Sequence, residues 1–196
     1  MTPDELAALT HRPTHGPFHA SVLVDGVTTP TLADLPPARD GLLFVGLHPD
    51  DESVEAGHYH QDRSGRTFWR RLMLASVLPA ATPVDTADEA LVAAGHGLAD
   101  LAKAPARDDA ELRAGVGLLW QKIAIWRPAA IVFLDRRTAE ICAGRPLPEP
   151  WGHLAGVALA GRPCFLLPGP EADAEIVEEG INFLRNLAVS LPVDRA

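Results

Sequence analysis

Two short apolar runs constrain the fold of this chain more than any other feature. The segments Gly41-Leu-Leu-Phe-Val-Gly46 and Ala129-Ala-Ile-Val-Phe-Leu134 are continuously apolar instead of alternating with polar residues. Runs of this length are typical of strands that are buried on both faces. A sheet of such strands needs helices on both sides, so the runs predict an α/β architecture.

The rest of the chain carries helix and strand patterns of its own. The clearest helix begins at Asp108 or Asp109, repeats apolar residues at steps of three and four, and stops before Pro128. Other patterns predict helices at 4–9, 67–77, 86–94, 136–143 and 172–191, with strands near 157–159 and 164–167. This alternation predicts a three-layer α/β/α fold around a central, mostly parallel sheet.

We expect an N-terminal arm over residues 1–40, which are rich in Pro, Thr and His, and a single α/β domain over residues 41–196. A length of 196 residues fits one domain with a sizeable core. Ligands bind beyond the carboxyl ends of the strands in such sheets. The loops that start at Leu47 and Pro168 are therefore the expected site.

Charge and composition limit the choice of partners and compartment. The net charge of −9 is unusual for a protein that grips many phosphates, yet the segment from Arg63 to Arg71 carries four arginines and no acid. The cysteines Cys142 and Cys164 lack zinc-type or redox spacing, and no apolar run is long enough to cross a bilayer. We expect a cytoplasmic monomer that needs no membrane and no cofactor.

An ordered set of motifs begins directly after the first apolar run. Gly46-Leu-His-Pro-Asp50 is followed by Gly57 and then by Phe68-Trp69. Farther along stand Gly97-Leu-Ala-Asp-Leu-Ala102, Glu111-Leu-Arg-Ala-Gly115, Trp126 to Leu134, Trp151-Gly152 and Leu166-Leu-Pro-Gly-Pro170. In order and spacing, over roughly residues 41 to 190, this set resembles the uracil-DNA glycosylase superfamily, in particular its mismatch-specific uracil and thymine branch.

The chain departs from that family in three places that bear on chemistry. His48 replaces the asparagine that positions the attacking water in relatives, and Asp50 replaces the glycine after the proline. In the last motif, Gly169-Pro-Glu-Ala172 replaces Asn-Pro-Ser-Gly, and Asp173 stands near the place of a leucine wedge. An acidic loop meets phosphate repulsion inside a base stack, so this last change affects duplex penetration.

The resemblance implies a DNA glycosylase that removes uracil, or a related damaged or mismatched pyrimidine, without a metal. Asp100 is the first candidate for the carboxylate that stabilises positive charge on the sugar and orients water, and its alternative is a helix or turn cap. Asp50 and Asp51 compete for that role. His48 could donate to a base oxygen or orient water, and its alternative is a hydrogen bond to the loop backbone.

Other positions match the parts of the family that hold DNA. The flipped base would stack on Tyr59 or His60, with Gly57 beside it, and Ser53 would bind the base or merely close a turn. The arginines Arg66, Arg70 and Arg71 are candidates for phosphate contacts. The intercalation loop corresponds to Pro168, Gly169 and Pro170.

Two other interpretations remain open. The segment His48-Pro-Asp-Asp-Glu52 also resembles the signature of zinc-dependent N-acetylglucosamine deacetylases, but the later segment that supplies their third zinc ligand is missing here. The lost asparagine, the altered last motif and the acidic charge are instead compatible with a non-catalytic relative that binds nucleic acid.

Overall fold

A five-stranded sheet with two helical layers forms the body of the protein. The computed structural model describes residues 17–105 and 108–190. The strands of the sheet are β3 (Leu42–Gly46), β4 (Gly97–Asp100), β5 (Ala130–Phe133), β6 (Gly152–Leu159) and β7 (Arg162–Leu166), in the order β4-β3-β5-β7-β6. All neighbouring pairs are parallel except β6 and β7, which are antiparallel.

Six α-helices are found in the described part of the chain. They are α1 (Asp51–Ala56), α2 (Arg63–Leu74), α3 (Ala87–Ala93), α4 (Asp109–Trp126), α5 (Arg136–Ala143) and α6 (Ala174–Ser190). Aspartates cap several of them: Asp62 accepts from the backbone of Gly65 at the start of α2, and Asp108 accepts from Ala110 and Glu111 at the start of α4. Such caps satisfy amide groups that have no partner within the helix.

Alternation along β3 places the two layers on opposite faces of the sheet. Leu42 and Phe44 belong to one core cluster, which includes Trp69 and Leu72 of α2 and Leu184 of α6. Leu43 and Val45 belong to the other, with these residues of α4: Leu112, Leu119 and Ile123. Since successive side chains of a strand point to opposite faces, a continuous apolar run is what a sheet covered on both sides requires. The predicted three-layer fold is confirmed.

The segment before the sheet differs from the expected arm. β1 (His19–Val24) and β2 (Val27–Leu32) form an antiparallel hairpin, and its turn residues Asp25 and Gly26 have positive φ angles of 50° and 81°. Such turns match the twist of paired strands. Leu32, Ala33 and Leu35 are then buried, and Leu35 bridges Leu98 of β4. Residues 31–35 therefore belong to the body of the domain. The helix predicted at 4–9 lies outside the described residues.

Candidate functional site

The carboxyl ends of β3 and β4 bring the first loop motif beside Asp100. Gly46 and Asp100 are register partners as the last residues of their strands, and the chain stays paired beyond them because Leu101 donates to the Gly46 carbonyl at 2.9 Å. A Cβ atom at position 46 would lie 2.9 Å from Oδ1 of Asp100, so a larger residue here would displace the carboxylate. Asp100 is the last residue of a strand and therefore does not cap a helix, which was one part of the alternative of a helix or turn cap.

Asp100 is a buried carboxylate with an unusual proton affinity. Its side chain is 2% exposed, and among the described residues its Oδ2 has no hydrogen-bond partner. Burial raises the pKa of Asp100 to about 6, against the opposing effect of the nearby Lys103 ammonium. A pKa in this range is typical of carboxylates that exchange protons at neutral pH.

Three further charged side chains form a buried cluster with Asp100. Lys103 Nζ lies 2.6 Å from Oδ1 of Asp34, 3.7 Å from Oδ2 of Asp100 and 3.2 Å from the Tyr59 hydroxyl. Lys122 Nζ lies 2.5 Å from Oδ2 of Asp34. Burial alone would raise the pKa of Asp34, but the two ammonium groups outweigh it and leave the pKa lowered. The cluster balances two carboxylates with two ammonium groups.

Sequence analysis missed Asp34, Lys103 and Lys122, although one signal was available. Lys103 and Lys122 are the only two lysines of the chain, which otherwise uses arginine for its permanently charged basic side chains. Lys122 also lies on the buried side of α4, next to Ile123 and one turn from Leu119. A charged residue in an apolar stripe needs a buried partner of opposite charge.

His48 lies half-buried in the loop after β3 and affects Asp100 electrostatically. Its Nδ1 is 3.0 Å from the Pro49 carbonyl oxygen, which can only accept. Nδ1 therefore carries a proton, and Nε2 is an acceptor when the ring is neutral and a donor only when the ring is protonated.

The acidic run after His48 starts helix α1. Asp50 caps the helix, with Oδ1 accepting from the Ser53 amide at 2.8 Å and Oδ2 from the Ser53 hydroxyl at 2.6 Å. The Ser53 oxygen also accepts from the Gln61 amide at 3.0 Å, and the side chain is buried. Ser53 therefore closes a turn. Asp51, in the first turn of α1, is exposed.

The segment after α1 separates the two candidate stacking residues. Gly57 ends the helix in the left-handed conformation, with a φ of 72°. Tyr59 is 1% exposed, and its hydroxyl donates to the Ala33 carbonyl at 3.1 Å, so its ring is part of the core. His60 is half-buried against Phe68 and Trp69, and burial lowers its pKa to about 4. Of the two residues, only His60 is partly exposed.

The arginines of α2 divide into two groups. Arg66 and Arg70 are exposed, and Arg66 donates from Nε to the Gln61 carbonyl at 3.0 Å. Arg71 instead donates to the carbonyls of Pro168 at 2.9 Å and Gly169 at 3.2 Å, so it holds the predicted intercalation loop in place.

That loop begins at the carboxyl end of β7 and is seated closely on α6. Pro168 is buried, whereas Gly169 and Pro170 are exposed. A Cβ atom at Gly180 of α6 would lie 2.6 Å from Cγ of Pro168, so the helix needs glycine at this contact. The exposed residues that follow are acidic at Glu171 and Asp173.

A cleft of about 360 Å³ opens beside the buried cluster. It is lined by residues 22–25 of the hairpin, by residues 102–105 and by Glu111. Lys103 therefore lines this cleft and also lies 3.7 Å from Asp100.

Within residues 17–105 and 108–190, no three His, Cys, Asp or Glu side chains are grouped as a metal ion would need. None of the described helices is long and apolar enough to span a bilayer.

Comparison with known proteins gives one family. The model of the uracil DNA glycosylase superfamily matches residues 33–186, which include Asp34, His48, Asp100 and both lysines. A search of curated proteins found no match.

Proposed function

Since the chain belongs to the uracil DNA glycosylase superfamily, we propose that it hydrolyses the N-glycosidic bond of uracil, or of a related damaged or mismatched pyrimidine, in DNA. Membership supports DNA glycosylase chemistry in general. The observation that carries the finer proposal is the buried Asp100 carboxylate at the end of β4, beside the loop that contains His48. We also propose that the protein belongs to the mismatch-specific branch and acts as a cytoplasmic monomer without a metal.

Asp100 acts on the sugar in this proposal. As the bond between C1′ and the base breaks, its electron pair leaves with the base and positive charge develops on the sugar. An ionised carboxylate close to C1′ stabilises that charge, orients a water molecule for attack and takes the proton that the water releases. Asp50 is a weaker candidate, because both of its oxygens are occupied by Ser53.

His48 and His60 would hold the flipped base. Nε2 of His48 donates to a base carbonyl oxygen when the ring is protonated, and accepts from an N–H group or a water when the ring is neutral. His60 offers a neutral ring, held by Phe68 and Trp69, as the candidate on which a base would stack.

Arg66 and Arg70, which are exposed on α2, would bind the DNA phosphates. Arg71 serves the same surface indirectly, by fixing the carbonyls of Pro168 and Gly169. Pro170 is then the only exposed apolar side chain offered by the loop residues 168–170. A loop of this kind favours bases that leave the stack easily, in single strands or mismatches.

Single-turnover excision of uracil by the wild type and by Asp100→Asn tests this assignment. We expect the variant to lose at least about 100-fold in rate, because an amide cannot take the water's proton or carry the compensating charge. Asp109→Asn is the matched control, since Asp109 is exposed at the start of α4 and pairs with Arg137 at 3.0 Å. Equal rates for the wild type and Asp100→Asn would remove Asp100 from the mechanism.

A specific observation favours a second candidate function. Exposed acids at Asp51 and Glu52 after β3, and at Glu171 and Asp173 after β7, would weaken binding of a long duplex. A non-catalytic relative that binds a nucleic acid or another partner fits this charge. Tight binding of a uracil-containing oligonucleotide without release of the base would favour it.

A further inference from the structure

The buried charge cluster contains a carboxylate that the proposed mechanism does not use. Asp34 comes from the segment between β2 and β3, is 4% exposed, and shares Lys103 with Asp100. Each of its two oxygens has its own ammonium partner, Lys103 on Oδ1 and Lys122 on Oδ2. Burying four charges is costly, and nonpolar side chains would often stabilise a core as well.

The distances show how the charge of Lys103 is shared. Its Nζ is 2.6 Å from Asp34 but 3.7 Å from Asp100, which is beyond direct hydrogen-bonding distance. Asp34 therefore holds the close ion pair, and Asp100 receives only the weaker interaction at longer range. Oδ2 of Asp100, the oxygen that faces Lys103, has no hydrogen-bond partner among the described residues.

Lys122 determines how strongly Asp34 can attract Lys103. It occupies the second oxygen of Asp34 from helix α4, so Asp34 divides its charge between two cations. Without Lys122, the whole charge of Asp34 would act on Lys103 and on Asp100. Without Asp34, Lys103 would be free to move toward Asp100.

We propose that Asp34 is a positioning residue that holds the Lys103 ammonium out of hydrogen-bonding distance of Asp100, so that Asp100 remains free to accept a proton from water. Lys122 limits the pull of Asp34 on Lys103 because it pairs with the second oxygen of Asp34. The inference deepens the proposed function and rests on it for the role of Asp100. The groups that act on Asp100 are Lys103 after β4, Asp34 after β2, Tyr59 after α1 and His48 after β3. Lys122 on α4 acts through Asp34.

Removal of the charge of Asp34 and removal of the charge of Lys122 should shift the pH midpoint of Asp100 in opposite directions. In Asp34→Asn, Lys103 is released toward Asp100 and one negative charge is lost, so the pH midpoint for titration of Asp100 should fall by about one unit or more. In Lys122→Met, one positive charge is lost and Asp34 binds Lys103 alone, so the midpoint should rise. Both shifts have the sign that the lost charge would give, and a cluster with no electrostatic effect on Asp100 would leave the midpoint unchanged in both variants.

The experiment is a carbon-13 NMR titration of the aspartate carboxyl groups in the full chain. The Asp100 signal is identified by its absence in Asp100→Asn. Lys122→Arg, which keeps the charge, should leave the midpoint near that of the wild type, and Asp109→Asn is the control for loss of an aspartate at an exposed ion pair. If Asp34→Asn does not fold, Lys122→Met compared with Lys122→Arg gives the same test through the upward shift.

The outcomes separate this inference from the proposed function. Opposite shifts in Asp34→Asn and Lys122→Met support the inference, whether or not uracil is released. An unchanged midpoint, or shifts in the same direction, overturns it even if the wild type is an active glycosylase. If the midpoints shift in opposite directions but the protein releases no base, the proposed function fails and this inference stands.

Discussion

At the scale of single residues, Asp100 combines a stability cost with its proposed catalytic use. Its pKa is raised to about 6 from an ordinary 3.8, chiefly by burial. Between these two pH values the folded protein holds a proton that the unfolded chain has released. The free energy of unfolding therefore falls as the pH rises through this window. Active sites often carry such a cost.

Asp100→Asn should consequently be more stable than the wild type above pH 6, where the wild-type carboxylate is ionised. The gain should reach up to about 3 kcal/mol, since one pKa unit corresponds to about 1.4 kcal/mol. It should shrink as the pH falls toward 4, where the wild-type residue is also neutral. Urea unfolding at pH 7.5 and at pH 4 measures both values, and a variant less stable than the wild type at neutral pH would speak against this account.

The same pKa sets the expected pH dependence of excision. The ionised form of Asp100 is the one that stabilises positive charge on the sugar, so the rate should fall as the pH drops through about 6. Single-turnover rates measured between pH 5 and pH 8 give the midpoint. A rate that stays constant down to pH 5 would mean that another group activates the water.

At the scale of elements, the loop after β7 depends on a close contact with α6. A Cβ atom at Gly180 would lie 2.6 Å and 2.9 Å from two ring carbons of Pro168, whereas one at Gly117 of α4 would meet nothing within 4 Å. Gly180→Ala should therefore destabilise the protein by about 1–3 kcal/mol through overpacking. Gly117→Ala should stabilise it by up to about 1 kcal/mol, because alanine favours a helix.

Thermal unfolding of both glycine variants makes this comparison. Gly180→Ala should also reduce uracil excision by more than its loss of stability explains. The substitution displaces the loop at Pro168, whose carbonyl accepts from Arg71. Equal effects of the two substitutions on stability would show that the loop is not held by this contact.

Element by element, the sequence predicted what depends on local pattern. The apolar runs of β3 and β5 and the stripe of α4 were recognisable because their periodicity follows from burial. The hairpin was missed because Thr28, Thr29 and Pro30 give β2 little apolar alternation. The start of α2 was placed late because its cap, Asp62, precedes a polar first turn.

The site was predictable only in part. Motif order made Asp100 and His48 candidates for one pocket, and it is the register of β3 and β4 that brings them to neighbouring strand ends. Tyr59 and His60 are adjacent in the chain, and only tertiary packing decides which ring is buried. The partnership of Asp34 with Lys122 joins segments that are distant in sequence, so no local pattern could reveal it.

At the scale of the whole molecule, charge limits how DNA can be bound. A net charge of −9 leaves few cations for phosphates, and the described site offers Arg66 and Arg70. Each phosphate contact adds about one unit to the slope of the logarithm of affinity against the logarithm of salt concentration. The slope should therefore be shallow, and Arg66→Gln or Arg70→Gln should each lower it by about one unit.

Fluorescence anisotropy with a labelled oligonucleotide at several salt concentrations measures that slope. Arg113→Gln is the control, since Arg113 is exposed on α4, in the layer on the opposite face of the sheet from α2. If Arg113→Gln lowers the slope as much as Arg70→Gln does, the DNA binds to another surface of the protein.

The central claim is that this chain releases a free base from DNA, and the product itself tests it most directly. Single-stranded oligonucleotides and duplexes with uracil opposite guanine or adenine would be incubated with excess protein and a chelator at pH 7.5. Mass spectrometry would then be used to look for free uracil and an abasic strand. The account predicts both products, with single strands and mismatches favoured. Intact oligonucleotide after prolonged incubation with folded protein would contradict it.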